Sequence, residues 1–140
     1  MTNIDVIENK VSFIKKYLKI LNSYQTFSLD ALERDVTLKG AVERYLYLVC
    51  QATIDLAEAV IAYKDFRKPT TFREAFDILG EENLIDRDLV ERLASMAGFR
   101  NVIAHAYENL DFTQVHSVLH HGLTDIESFL NAVREMFKLR

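Results

Sequence analysis

Apolar residues recur along the chain at steps of three and four, the interval that returns side chains to one face of an α-helix. Ile7, Val11, Ile14, Leu18 and Leu21 form the first such stripe and predict a helix over about residues 3–24. A longer stripe follows through Leu38, Val42, Tyr45, Val49, Ala52, Leu56, Ala59 and Tyr63, and Leu46, Leu48, Cys50, Ile54 and Ile61 widen it past one face. A helix apolar around most of its circumference is buried on several sides, so this element belongs at the centre of a bundle or against a second subunit. After Pro69, Thr71 and Glu74 have the spacing of a capping box, which opens a short third helix ending at Gly80. Asp86 can cap a fourth helix carrying Leu89, Val90, Leu93, Met96 and Phe99. Gly98 inside it costs about 1 kcal/mol relative to alanine, which predicts close packing or a bend just before Arg100. Asp111 and Gln114 resemble another capping box, and Val115, Leu119, Gly122, Ile126, Phe129, Val133 and Met136 make the last stripe.

No stretch alternates convincingly at the period of two that marks a strand, and the chain holds one proline and four glycines. The expected fold class is therefore all-α: an up-and-down bundle of four main helices plus a short helix, forming one domain over residues 1–140. An apolar share of 49% with 27% charged residues is the balance of a globular chain. The apolar runs are broken by charges well short of the roughly 18 residues a membrane span needs, and MTNIDVIENK lacks the basic start and apolar centre of a signal peptide. A cytoplasmic protein is expected. Cys50, the single cysteine, permits neither an internal disulfide nor a thiolate zinc site and reads as a packed thiol.

The net charge of −4 argues against a generic polyanion binder, because nonspecific nucleic-acid affinity comes from many phosphate-neutralising cations. An RNA partner would need a local basic surface. Lys15, Lys16 and Lys19, Arg67 and Lys68, or Arg134, Lys138 and Arg140 could supply one, although each set also reads as an ordinary solvated face.

The densest gathering of reactive side chains is Arg100-Asn101-Val102-Ile103-Ala104-His105-Ala106-Tyr107, between the fourth and fifth helices. Arginine offers a permanent cation with several donors suited to phosphate, and histidine exchanges a proton near neutral pH. The two suit phosphodiester cleavage, in which an RNA 2′-hydroxyl attacking its phosphate needs a base, charge stabilisation at phosphorus and an acid for the leaving oxygen. On a continuous helix Asn101 and His105 share a face, so the amide could orient the imidazole, whereas Arg100 lies about 140° from His105 and does not converge with it. A two-fold dimer with the motif beside its axis would bring two of each into one cleft.

The order Arg, polar residue, three more residues, His, any residue, Tyr, placed before the last long helix, resembles the RxxxxHxY signature of HepT-type toxins of the HEPN superfamily. The helical pattern of nearly the whole chain, including the apolar QATIDLAEAVIA, agrees with it. The resemblance implies a metal-independent endoribonuclease without cofactors, acting at a homodimer cleft. By it, Arg100 would stabilise phosphoryl charge, His105 would transfer protons and Asn101 would support them. It also implies a partner, an MntA-like nucleotidyltransferase antitoxin that silences the toxin by adding AMP to the motif tyrosine, here Tyr107. The alternative is a catalytically silent HEPN dimer that binds a nucleotidyltransferase or nucleic acid as a regulator.

Other residues carry less. His116 and His120 have the spacing of paired metal ligands on a helix and His121 follows, but without a cysteine or HExxH frame they read as surface or packing histidines, with no metal site expected. Asp55 lies among Ile54, Leu56 and Ala57, where a carboxylate is costly unless paired, and it either orients a motif side chain or meets a structural partner or water. Glu43 and Arg44, near the start of the apolar helix, could help line a dimer cleft but read more simply as ordinary charges at a helix start, and they are not counted as site residues. Phosphate loops and a Gly-x-Ser-x-Gly elbow are absent, which argues against the usual routes of ATP hydrolysis or serine hydrolysis.

Overall fold

The computed structural model describes residues 3–105 and 110–139. Helix α1 spans Ile4–Ser23, and all five of its predicted stripe residues are buried. The short α2 (Leu29–Arg34) leads directly into the 28-residue α3 (Val36–Tyr63). Then come α4 (Phe72–Glu81) and α5 (Arg87–His105). The last stripe is one helical run in three parts: α6 (Phe112–Ser117), a π turn (Val118–Gly122) and α7 (Leu123–Phe137). No strand occurs among the described residues.

Helix α3 is the central element. It packs against α1, α4 and α5, while α7 joins α1 to α5 on the far side. Val42, Leu46, Val49, Cys50, Ile54, Leu56, Ala57 and Val60 are wholly removed from solvent. Among the described residues the one buried polar side chain, Thr53, donates its hydroxyl to the Val49 carbonyl at 2.7 Å, so burial leaves no unpaired group there. By length and composition α3 could cross a membrane, but most of it is buried within the bundle, as expected of a core helix.

Helix starts fall where side chains can take up free amide groups. Asp35 accepts from Thr37 and Leu38, Asp86 from Leu89, and Asp111 from Thr113. Thr71 accepts from Glu74 at 3.0 Å, and the Glu74 carboxylate reaches back one residue further than in a standard capping box, to the Thr70 amide at 2.9 Å. The π turn was not expected. Its wider winding keeps Val115, Leu119 and Leu123 on the core face at two successive steps of four, and Leu123 takes the buried position assigned to Gly122.

The glycines also divide differently. A Cβ on Gly80 would lie 2.6 Å from the Val90 side chain, so Gly80 is what lets α4 close against α5. Gly98 is exposed, a Cβ there would meet nothing within 4 Å, and α5 runs on through it to His105. The predicted close packing is absent. On the outer face, Arg73 and Arg87 of α4 and α5 bind Glu91 at 2.8 and 3.2 Å, and Arg67 binds Glu81 at 2.7 Å.

Candidate active site

Arg100 emerges half-buried from α5 beside the solvent-facing edge of α3. Its Nε donates to the Gln51 carbonyl oxygen at 2.6 Å, one terminal nitrogen donates to Asn101 Oδ1 at 3.0 Å, and the other donates to the Tyr47 hydroxyl at 3.2 Å. The guanidinium carbon also lies 5.2 Å from the centre of the Tyr47 ring and 5.3 Å from that of Phe72, within cation–π range. A guanidinium carries five N–H donors, so these bonds use three, and among the described residues one N–H on each terminal nitrogen is left for a ligand. Free N–H groups in the plane of a fixed guanidinium suit the oxygens of a phosphate.

The fixing residues come mainly from α3, where Tyr47, Gln51 and Asp55 succeed one another at steps of four and so line one face. Gln51 passes the contact on, its amide nitrogen donating to Asp55 Oδ1 at 2.9 Å, and Asp55 Oδ2 faces Lys10 of α1 at 3.8 Å. Asp55 is thus a half-exposed, paired carboxylate rather than one stranded in the core, and it reaches the motif arginine through Gln51.

His105 is exposed at the last position of α5. Because the helix is continuous from Arg100, the two side chains leave it about 140° apart and do not meet within one chain. Asn101 is exposed and its amide oxygen faces Arg100, so the amide is engaged on the arginine and not, as its spacing suggested, on the imidazole. Tyr107 lies outside the described residues. Next to the motif, Gly40, Glu43, Arg44 and Tyr47 of α3 and Ile103 and Ala104 of α5 line an open cleft of about 360 Å³. Glu43 and Arg44, set aside in the sequence as ordinary charges, are therefore cleft residues of this chain. Burial pushes the Glu43 carboxyl above its ordinary value, partly offset by Lys39, and Arg44 covers the Tyr47 ring at 5.8 Å.

The remaining candidates separate. Cys50 is fully buried; burial pushes its thiol up to about 12, against the opposing pull of the Arg100 charge. His116 and His120 bring their Nε2 atoms to 3.0 Å, yet among the described residues no cluster of three or more metal-ligating side chains accompanies them. Arg67 is committed to Glu74 and Glu81. Lys15, Lys19 and Arg134, distant in sequence, line one shallow groove between α1 and α7, and Lys138 joins Lys15 in the adjoining one.

The model of the family described as Ribonuclease HepT-like matches residues 14–133, from the middle of α1 to near the end of α7, and includes the Arg100–His105 segment. The chain belongs to the HepT-like ribonuclease family. The mRNA nuclease HepT of Shewanella oneidensis is 33% identical over 130 residues, covering 93% of this chain and 97% of that protein. The tRNA nuclease HepT of Aphanizomenon flos-aquae is 29% identical over 135 residues, covering 95% and 92%. Among solved structures, a tri-AMPylated HEPN toxin of Shewanella oneidensis in complex with its MNT antitoxin superposes with a TM-score of 0.84 at 31% identity, covering 94% of this chain and 98% of that one. The all-helical architecture expected from the periodicity is thus that of HepT-like proteins.

Proposed function

We propose that this HepT-like chain is a cytoplasmic endoribonuclease toxin, one HEPN-like domain that cleaves RNA without a metal at a cleft between two copies. The observation that carries this reading is the state of Arg100: half-buried, fixed on three sides, and keeping one N–H on each terminal nitrogen for phosphate oxygens. His105, exposed five residues further on, is the proton-transfer group, with Asn101 supporting the guanidinium. Since one chain does not converge Arg100 and His105, a two-fold dimer is the economical way to present both to one phosphate. The exposure of Val102, 40%, between these two residues supports a covered motif surface.

The partner is an MntA-like nucleotidyltransferase antitoxin, as in the AMPylated toxin complex of the similar Shewanella oneidensis protein. It acts by adding AMP to Tyr107, whose place two residues beyond His105 puts a bulky anion in the path of the RNA. Cleavage of a fluorophore-labelled single-stranded RNA oligonucleotide tests the core of this reading. Arg100→Ala and His105→Ala each abolish cleavage while leaving a helical protein of about twice 16.2 kDa by light scattering, EDTA has no effect, and Tyr107→Phe cleaves but escapes silencing by partner and ATP. Cleavage that survives either alanine, or that EDTA stops and added metal restores, refutes it.

A further inference from the structure

We infer that Gln51 and Asp55 are positioning residues for Arg100, forming a one-way relay in which the carboxylate sets the orientation of the amide and the amide sets the guanidinium. The inference rests on the reading of Arg100 as the phosphate-binding group. Its basis is the direction of each hydrogen bond. A guanidinium can only donate and a carboxylate can only accept, whereas a glutamine amide has one end of each kind. Gln51 offers its oxygen to Arg100 Nε at 2.6 Å and its nitrogen to Asp55 Oδ1 at 2.9 Å. Turned over, the same amide would set N–H against N–H at one end and oxygen against carboxylate at the other. Both neighbours therefore select the same orientation, and the short contact to Arg100 is of the charge-assisted kind.

Placement on α3 makes the relay stiff. Gln51 and Asp55 are one turn apart on the helix that forms the core, so the amide is held by backbone that the bundle fixes on other sides. Fold stability gives little reason for Asp55. Its other contact, Lys10 at 3.8 Å, is a half-exposed pair of a kind that contributes little, and its side chain takes no place in the core. What Asp55 does is hold the far end of an amide that the guanidinium alone would otherwise orient. Without it the amide is held at one end only, so the contact to Arg100 Nε slackens and the plane of the guanidinium is less firmly fixed.

The test uses Gln51→Leu, Asp55→Ala, the conservative Asp55→Asn, and the exchange Gln51→Glu with Asp55→Asn, in which donor and acceptor trade places but the chain of bonds is kept. Two readouts apply: steady-state cleavage of the labelled RNA oligonucleotide, and the Nε–H resonance of Arg100 in the free protein, assigned by its loss in Arg100→Lys. Gln51→Leu and Asp55→Ala lower kcat by about tenfold or more with KM within about threefold, and move the Arg100 resonance towards that of a solvent-exposed arginine. Asp55→Asn and the double exchange restore both. An unmoved resonance with wild-type kcat in Gln51→Leu and Asp55→Ala overturns the relay. So does a kcat that follows denaturation stability across the four variants without rescue, since that marks a structural role. If the wild-type protein cleaves no RNA, the proposed function fails, while the resonance still decides the relay.

Discussion

Gly98→Ala puts a methyl group on α5 two residues before Arg100, at a place where the structure offers it only open space. The gain expected is that of helix propensity alone, about 0.8–1 kcal/mol, because no core contact is made or lost. For a chain of 140 residues the unfolding entropy is of order 0.3 kcal/mol/K, so the midpoint should rise by about 3 °C. Gly80→Ala is the built-in contrast. The same propensity gain is met there by a contact of 2.6 Å with Val90, and driving α4 off α5 costs about 1–3 kcal/mol, so the midpoint should fall. Both are measured by thermal and urea denaturation at matched protein concentration, with light scattering on the same samples. RNA cleavage by Gly98→Ala should stay at the wild-type level. A lower midpoint for Gly98→Ala, or a smaller mass than the wild type by light scattering, would refute the reasoning, because it would mean that another copy packs onto the glycine.

Two further outcomes follow from burial. Cys50, with its thiol raised to about 12, should take up no iodoacetamide in the native protein at pH 8 and one equivalent in denaturant; native labelling would show that the core opens there. His120 has its pKa lowered by burial and then by His116 and His121, so the unfolded chain binds its proton more readily than the folded one. The linked stability is complete above the ordinary histidine value of about 6.5 and is lost as pH falls below it. His120→Gln should therefore flatten the decline of the melting temperature between about pH 7 and 5, and an unchanged slope would sink that assignment.

Features written in neighbouring residues were legible in the sequence. The caps at Thr71, Asp86 and Asp111 and the stripe of α1 each depend on contacts within four residues, which a periodic pattern records directly. Helix α2 escaped notice because six residues are too few for a stripe and only Leu32 is buried. The π turn escaped because a widened turn leaves the apolar spacing almost helical. At the site, Arg100, Asn101 and His105 announced themselves through their chemistry and order. Gln51 and Tyr47 did not, since they meet Arg100 across 49 and 53 residues and look in sequence like the polar edge and the apolar body of a core helix. Asp55 gave the one usable signal, a charge in an apolar run, and its partner was the unseen amide. Gly98 misled because a glycine in a helix has the same appearance whether a neighbour demands it or nothing does.

Arg100 is tied into the body of the bundle and His105 stands at the open end of α5, so the two halves of the proposed chemistry have different foundations. An adduct on Tyr107 would act on the open half and leave the tied half standing. Silencing of that kind works by occupancy: the enzyme is stored whole, and its recovery is set by how fast the adduct leaves and not by any refolding. If Tyr107 carries the adduct as proposed, the α3 anchor leaves Arg100 in place throughout, so cleavage can resume as soon as the adduct is removed.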